Sequence, residues 1–184
     1  ISSYIEKELI QYSLGSLIRA IPLGHDGLKD VQRKILAWWC EKHNFGKRNE
    51  RRKVEQMIGF ISEMQQYHHG ATSIGAAVKR MALSGFPGAN NLSVFYAESG
   101  VGSRMNFPKD AASDRYAFVR ASDWLKYVIH EYIYNSIPKT ISEGIVIEPR
   151  WIPCDIPIVL INGVMGISTG WRTYVPPCHP GSVV

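Results

Sequence analysis

Arg115-Tyr116 is a pair of residues whose types could do covalent chemistry together. A phenol is protonated at neutral pH and is a poor nucleophile unless a nearby positive charge stabilises the phenolate. An arginine guanidinium supplies a permanent charge, and its fork of donors also matches a phosphate group. The pair therefore favours attack of Tyr116 on a phosphate, whereas an arbitrary tyrosine in a strand is normally a half-buried packing residue.

Two adjacent histidines, His68 and His69, stand between Tyr67 and Gly70. Histidines at a helix end are more often structural or exposed than catalytic, but an imidazole can also donate a hydrogen bond to an oxyanion. We predict no metal site, because no cysteine or histidine lies at a convincing zinc-ligand spacing from them. The histidines are therefore candidates for contact with a phosphate.

The net charge of +5 is concentrated in one segment of the chain. Between Lys29 and Lys53 stand nine Lys and Arg residues against three acidic ones, and the rest of the chain is close to neutral. A basic run is often only a solvated surface. Basicity concentrated beside histidine and tyrosine motifs instead favours phosphate binding, as in proteins that bind nucleic acid.

Ile167 lies between Gly166 and Ser168, in a segment that also contains Gly163 and Gly170. An apolar residue in a glycine-rich turn normally faces inward. An exposed apolar wedge on a thin loop, however, is able to unstack a base step of DNA. The surrounding glycines favour a projecting turn, so we predict that Ile167 is exposed.

The elements that must position these residues are mainly helical in the first half of the chain. Apolar residues recur there at helical spacing in four segments, and the second and fourth segments are predicted to bury their stripes in the core. The predicted stripes are Ile5, Leu9 and Tyr12; Leu28, Val31, Ile35 and Trp38 or Trp39; Val54, Met57, Ile58, Ile61 and Met64; and Ile74, Ala77, Val78 and Met81. The first helix is predicted over Tyr4 to Arg19 with a capping box, Ser3 to Glu6, and the second is predicted to be capped by Asp26.

Strands are predicted at Leu92 to Tyr96 and at Tyr116 to Val119, followed by an amphipathic helix over Leu125 to Ile133. The second helix is predicted to present Lys29, Arg33 and Lys34 on its solvent side. Helices with short turns, a basic helix and a β wing are typical of a winged-helix domain. The fold class predicted is therefore α+β.

The composition agrees with one globular domain and the beginning of a second. The chain has 184 residues, of which 45% are hydrophobic, and from Ile145 onwards its pattern becomes strand-like and proline-rich. No apolar stretch reaches the length of a membrane span, since the longest, Ile156 to Ile161, is strand-sized. Three cysteines without metal spacing and an N-terminus without a signal pattern predict an intracellular protein.

Several motifs occur in a fixed order along the chain. They are Asp26-Gly27-Leu28-Lys29 with Gln32-Arg33-Lys34; Tyr67-His68-His69-Gly70; the loop from Gly102 to Asp110 followed by Arg115-Tyr116; and Ile158 to Gly163 running into Gly166 to Trp171. Together they resemble the DNA breakage-reunion region of type IIA DNA topoisomerases, on the eukaryotic and large-DNA-virus side of that family. The resemblance covers roughly residues 17 to 178.

The resemblance implies roles for individual residues. Tyr116 would be the nucleophile that forms a 5′-phosphotyrosyl link with DNA, Arg115 its helper, and His69 an oxyanion-stabilising donor. Ile167 would enter the minor groove and bend the duplex. The DNA contacts implied in total are Arg19, Lys29, Arg33, Lys34, His68, Arg104, Lys109 and Ile167.

The resemblance also implies an architecture and a parent enzyme. Residues 1–150 would form a winged-helix DNA-cleavage domain, and residues 151–184 would begin an α/β tower domain. The parent would be an ATP-dependent homodimer that breaks one DNA duplex, passes a second through the break and reseals it during replication. Motifs for ATP binding and for the acidic Mg²⁺ site of a toprim domain are not found in this sequence.

We therefore expect a fragment that binds double-stranded DNA without cleaving it and that does not associate with membranes. In this interpretation Mg²⁺ and ATP are cofactors held by other parts of the parent. The parent is expected in the nucleus if it is cellular, and in a cytoplasmic viral factory if it comes from a large DNA virus.

Four positions depart from the family pattern: Asp30 for Pro, Ala71 for an acidic residue, Phe107-Pro108 for Gly-Gly, and Asp114 for Pro before Arg-Tyr. These departures predict a divergent, viral member of the family. They are also the best support for an alternative, a non-catalytic architectural DNA-binding module. Two further alternatives stay open: a small metalloenzyme built on Glu63 and the two histidines, and a structural or dimerisation module.

Overall fold

The computed structural model describes residues 2–67 and 69–183. The chain begins with a long helix, α1, made of Ser2–Tyr4, the π-helical segment Ile5–Leu9 and Ile10–Ala20. The remaining helices of the first half are α2 (Asp30–Lys42), α3 (Val54–Met64) and α4 (Ala71–Ala82). These helices lie close to the predicted positions.

The second half contains short strands and short helices. In chain order with β1 (Arg52–Lys53), the strands are β2 (Phe95–Ser99), β3 (Phe118–Ala121), β4 (Lys139–Ser142), β5 (Ile145–Pro149), β6 (Val164–Ser168) and β7 (Trp171–Val175). The helices are α5 (Leu125–Val128), α6 (Glu131–Ser136), α7 (Ile158–Asn162) and a final 3₁₀ turn, Pro180–Ser182.

Helices α3 and α4 form where apolar residues recur with the helical period, and they bury the predicted stripes except Met64, which is exposed, and Ala77, which is half-buried. Val54, Met57 and Ile61 are almost fully buried, and so are Ile74 and Val78. Both helices pack against α2, whose tryptophans Trp38 and Trp39 are each only 1% exposed. The three helices therefore enclose one core.

Helix α1 differs from its prediction. It contains no buried residue, and Ile5, Leu9 and Tyr12, whose helical spacing predicted the helix, are exposed. The expected capping box is also wrong, because the helical backbone already begins at Ser2, before the predicted cap. A helical period shows which residues share a face, but it does not show that another element of the same chain covers that face.

The cap of α2 was also predicted wrongly. The helix begins at Asp30, and the Lys29 backbone N–H donates to Oε1 of Gln32 at 2.9 Å. Asp26 lies one turn earlier and accepts from the Leu28 backbone N–H at 2.9 Å and from that of Ile152 at 3.0 Å. Its carboxylate therefore joins the start of α2 to the segment that follows β5.

The wing is a three-stranded antiparallel sheet in the order β1-β3-β2. Arg52 pairs with Val119, and Phe95 pairs with Ala121. Both predicted strands exist but begin two or three residues later than expected, and β1 was not predicted. The combination of helical core and small sheet confirms the α+β class and agrees with a winged helix.

In the region after the wing, the secondary structure differs from the prediction at two places. The helix expected over residues 125–133 is divided into α5 and α6 by extended backbone at His130, and Tyr132 is 87% exposed. The proline-rich region from Ile145, predicted to be strand-like, also contains the short helix α7, Ile158–Asn162. The predicted boundary at residue 151 stays a prediction. Within the described ranges, no helix is long and apolar enough to cross a membrane.

Candidate nucleic-acid interface

Tyr116 lies in an exposed turn and not in a strand. The Tyr116 backbone N–H donates to the Ser113 carbonyl at 2.8 Å, and β3 begins two residues later at Phe118. The Tyr116 side chain is 65% exposed, so the half-buried packing role is wrong for this tyrosine. The guanidinium carbon of Arg115 lies 5.9 Å from the centroid of its ring. The phenol is therefore accessible and has a permanent cation near its ring, and both features favour attack on a phosphate.

The turn that carries Tyr116 is attached to the start of helix α3. The backbone N–H of Glu55 donates to the Asp114 carbonyl at 3.2 Å, and that of Val54 donates to the Ala117 carbonyl at 2.9 Å. The first N–H groups of a helix have no partner within the helix, so they are free to hold a neighbouring segment. The tyrosine is thereby fixed to the helical core from both sides.

Arg104 and Lys109 are exposed on the loop that precedes this turn. The loop is closed by Asp110, whose carboxylate accepts from the Ser103 backbone N–H at 3.0 Å and from the Ser103 hydroxyl. Phe107 attaches the loop to α4, because its ring centroid lies 5.6 Å from the guanidinium carbon of Arg80. The two cations therefore point outward from an anchored loop.

Arg19 and His69 meet at an open cavity of about 240 Å³ between the end of α1 and the α3–α4 turn. Tyr67 also lines it, and its ring lies 5.4 Å from that of His69 in an edge-to-face arrangement. His69 is exposed, as a donor to a phosphate must be. Tyr116 is not among the lining residues, so this cavity brings Arg19 and His69 together without Tyr116. His68 lies outside the described residues.

Arg33 and Lys34 are not the solvent-facing cations that the sequence predicts. The Arg33 guanidinium donates to the Asp26 carboxylate at 2.9 Å, and the Lys34 ammonium donates to the Glu148 carboxylate at 2.9 Å. The two residues are 8% and 6% exposed. The expectation was wrong because it took the side of α2 opposite the buried stripe to face solvent, whereas α2 is enclosed by α1, α3 and β5.

Lys29 remains accessible as a half-buried cation at the start of α2. Burial, and then the positive charge of Arg80, lower the pKa of Lys29 below its ordinary value. A phosphate placed beside Lys29 and Arg80 would relieve this repulsion, since an opposite charge favours the protonated ammonium. Arg80 was not predicted to belong to the site.

Ile167 is exposed, as predicted, but it lies in strand β6 and not in a turn. It is 63% exposed and pairs across the hairpin with Arg172, which is also exposed. The opposite face of the hairpin docks on α1, where the Ser16 and Ser168 hydroxyls are 2.8 Å apart. Arg172 was missed because only the strand register shows that it lies beside Ile167.

Among the described residues, no group of three His, Cys, Asp or Glu side chains could hold a metal ion. Glu63 is exposed and its carbonyl accepts from the Gln66 side chain at 2.8 Å. The described residues therefore do not fit a Mg²⁺ site.

The model of the DNA gyrase/topoisomerase IV A-subunit family matches residues 19–184. The chain belongs to the type IIA DNA topoisomerase family. DNA topoisomerase 2 of Saccharomyces cerevisiae is 35% identical over 187 residues, which cover 100% of this chain and 12% of that protein. DNA topoisomerase 2 of Acanthamoeba polyphaga mimivirus is 33% identical, covering 98% of this chain and 14% of the viral protein.

A solved structure gives the same family at the level of the fold. The crystal structure of the Plasmodium falciparum topoisomerase II DNA-binding, cleavage and re-ligation domain matches 98% of this type IIA topoisomerase chain with a TM-score of 0.87 and 34% identity. The chain covers 24% of that structure. This topoisomerase segment thus spans a small part of each relative it matches.

Proposed function

We propose that this chain is the DNA-cleaving part of a type II DNA topoisomerase, with Tyr116 as the nucleophile. The observation that carries the proposal is the exposed phenol of Tyr116 beside Arg115, on a turn attached to the core. A turn on the surface gives a DNA phosphate access to the phenol, and its attachment limits the positions that the oxygen can adopt.

In the proposed reaction the phenol of Tyr116 loses its proton to solvent, and its oxygen attacks a DNA phosphorus atom. The bond from that phosphorus to the 3′-oxygen of the neighbouring nucleotide breaks, and this oxygen takes up a proton. The 5′-phosphotyrosyl link that results keeps a phosphodiester bond, so the reverse attack by the 3′-hydroxyl reseals the strand. The Arg115 guanidinium stabilises the negative charge of the attacking oxygen and of the phosphate.

The DNA surface that we propose consists of separate groups of accessible side chains. Its members are Arg19 and His69 at the cavity, Lys29 before α2 with Arg80 on α4, Arg104 and Lys109 on the loop, and Ile167 with Arg172 on the hairpin. Contacts of these cations with phosphates would position the duplex without reading its sequence. Arg33 and Lys34 hold the start of α2 in this proposal.

The activity of a whole enzyme is part of the same proposal. The parent would be a homodimer that uses ATP and Mg²⁺, both bound outside the residues described, to pass one duplex through a break in another. We also propose that it acts on nuclear DNA, or in a viral factory if its source is a virus. The matched relatives include both eukaryotic proteins and one from mimivirus.

Replacement of Tyr116 by Phe in the complete enzyme tests the proposal. We expect loss of the covalent protein–DNA adduct that detergent traps, because only the attacking oxygen is removed. DNA affinity should stay within about twofold, since phosphate contacts elsewhere supply most of the binding. The matched control is Tyr96→Phe, because Tyr96 also lies beside an arginine, Arg120, at 4.8 Å.

The control variant is expected to form the adduct normally. Adduct formation by Tyr116→Phe would refute the proposed nucleophile. If the complete enzyme with Tyr116 intact bends DNA through Ile167 but never forms an adduct, the architectural DNA-binding alternative would be the better description.

A further inference from the structure

Asp114, two residues before Tyr116, forms an ion pair with helix α4. Its carboxylate lies 2.8 Å from the Lys79 ammonium, and the two side chains are 28% and 11% exposed. The same ammonium donates to the Ala112 carbonyl at 2.6 Å. One lysine therefore holds the chain at two points immediately before the turn of Tyr116.

Gly75 provides the space for this contact on α4. A Cβ atom built at Gly75 would lie 2.6 Å from each Asp114 carboxylate oxygen, which is closer than any real side chain approaches. Gly75 and Lys79 are four residues apart, so they lie on the same face of the helix. The Asp114 carboxylate is thus seated on a site that α4 leaves open for it.

The position of Asp114 in the turn gives the ion pair a consequence for Tyr116. In the turn closed by the Tyr116 N–H and the Ser113 carbonyl, Asp114 is the first of the two central residues. Its backbone dihedrals therefore set the direction in which Arg115 and Tyr116 leave the turn. Proline is favoured at this position of a turn because its ring fixes the φ angle without any side-chain partner.

We propose that Lys79 and Asp114 are positioning residues that hold the Tyr116 phenol in its attacking geometry. The proposal rests on the proposed function of Tyr116. The ion pair restrains the turn through a contact with α4, as a proline would restrain it through its own ring. Neither residue touches the reacting atoms in this account.

The test measures single-turnover cleavage by the complete enzyme, together with DNA affinity and thermal melting. We expect Asp114→Asn and Lys79→Met each to slow cleavage on the order of 10- to 100-fold, because a displacement near 1 Å has that effect on a reacting group. DNA affinity should change by less than about twofold, since the phosphate contacts remain. The double variant should be no slower than the slower single variant, because both changes break one interaction.

Substitution by proline supplies the decisive rescue. In the variant that combines Asp114→Pro with Lys79→Met, the turn is restrained without an ion pair, and cleavage should return to within about threefold of the wild-type rate. A merely structural role of the ion pair would not produce this rescue of rate. The matched control is Glu98→Gln, which breaks an ion pair between β2 and β3 of the wing, Arg120 to Glu98 at 3.2 Å, away from the turn.

Three outcomes would overturn the inference. They are wild-type cleavage by Asp114→Asn, slowing that disappears at a temperature where the variant is fully folded, and failure of the proline variant to regain rate while it is folded. In each case Tyr116→Phe in the same enzyme should still be inactive, so the proposed function would stand. If Tyr116→Phe forms the adduct, the proposed function itself fails. If Lys79→Met does not fold, the cleavage rates of Asp114→Asn and Asp114→Pro still compare an unrestrained turn with one restrained by proline.

Discussion

At the scale of single residues, the partner of a charged group decides what it does. Arg115 has an exposed tyrosine beside it and keeps its charge available at the surface. Lys34, in the most basic part of the chain, donates to Glu148 and to the Gln65 carbonyl at 2.8 Å and is withdrawn from solvent. Burial raises the pKa of the Glu148 carboxyl above its ordinary value, and the hydrogen bond from Lys34 offsets part of that rise.

Lys34→Ala is expected to destabilise the fold by about 3–5 kcal/mol, because it leaves the Glu148 carboxylate buried without a partner. Denaturant unfolding of the chain measures the free energy. The control is Lys47→Ala, which breaks an exposed pair with Glu131 and should cost less than about 1 kcal/mol. A stable Lys34→Ala variant with weaker, less salt-dependent DNA binding would instead support direct contact with phosphate.

Ile167→Ala is expected to leave the free energy of unfolding within about 0.5 kcal/mol, because the side chain is exposed in the absence of DNA. If Ile167 inserts into DNA, the complete enzyme carrying this change should bend an end-labelled duplex less, as measured by energy transfer between the labels. Ile141→Ala, equally exposed on another hairpin, is the control for both measurements. If Ile167→Ala instead lowered the free energy of unfolding by about 2–5 kcal/mol and left DNA bending normal, Ile167 would be a core residue.

At the scale of elements, the β6–β7 hairpin depends on its contact with α1. A Cβ atom at Gly166 would lie 2.5 Å from the Ala20 carbonyl oxygen, so the strand approaches the end of the helix as only glycine allows. The hydroxyls of Ser16 and Ser168 are hydrogen-bonded across the same contact. The hairpin thereby holds Ile167 and Arg172 on the side away from α1.

Gly166→Ala should separate the hairpin from α1 and destabilise the chain by about 1–3 kcal/mol, because a side chain is forced against backbone atoms. The complete enzyme with Gly166→Ala should also bend DNA less, because the hairpin that carries Ile167 is displaced although Ile167 itself is unchanged. The control is Gly170→Asn in the hairpin turn, where nothing lies within 4 Å and the φ of +74° is one that asparagine tolerates. Equal effects of the two changes would show that the close approach is not required.

At the scale of the whole molecule, the core contains a titratable group that does not belong to the site. His43 ends α2, is 2% exposed and lies against Trp38, with ring centroids 5.1 Å apart. Burial, followed by the charges of Arg52 and Lys42, lowers the pKa of His43, although the Arg48 carbonyl and Glu50 act in the opposite direction. Folding therefore favours the neutral imidazole.

The chain is expected to lose stability as the pH falls below about 6.5, the ordinary pKa of histidine. In that range His43 is protonated in the unfolded chain but neutral in the folded chain. The free energy of unfolding therefore decreases as the pH falls, until the pH reaches the lowered pKa of His43 in the folded chain. Denaturant midpoints between pH 7.5 and pH 5 measure the effect. His43→Gln should flatten the dependence, and exposed His130→Gln should preserve it; identical slopes in both variants would contradict the assignment.

The helical core and the candidate nucleophile were predictable because their signals are local. The stripes of α3 and α4 follow the helical period, and Arg115-Tyr116 is recognised from two adjacent residues together with the motifs around it. These features were enough for the fold class and the family, which the fold and the comparisons confirm. The roles of Tyr116, Arg115 and His69 stay predictions.

Long-range contacts decided the rest. Lys34 and Glu148 are 114 positions apart, and no local pattern shows that they form a buried pair. Ile167 and Arg172 share a face because of strand register, and Lys79 reaches Asp114 because α4 packs beside the turn. The sequence by itself therefore determined which residues could do chemistry, whereas tertiary packing decided which of them remain accessible and which hold others in place. The physical reason is that accessibility and ion pairing depend on distances in space, which residue type and local spacing do not specify.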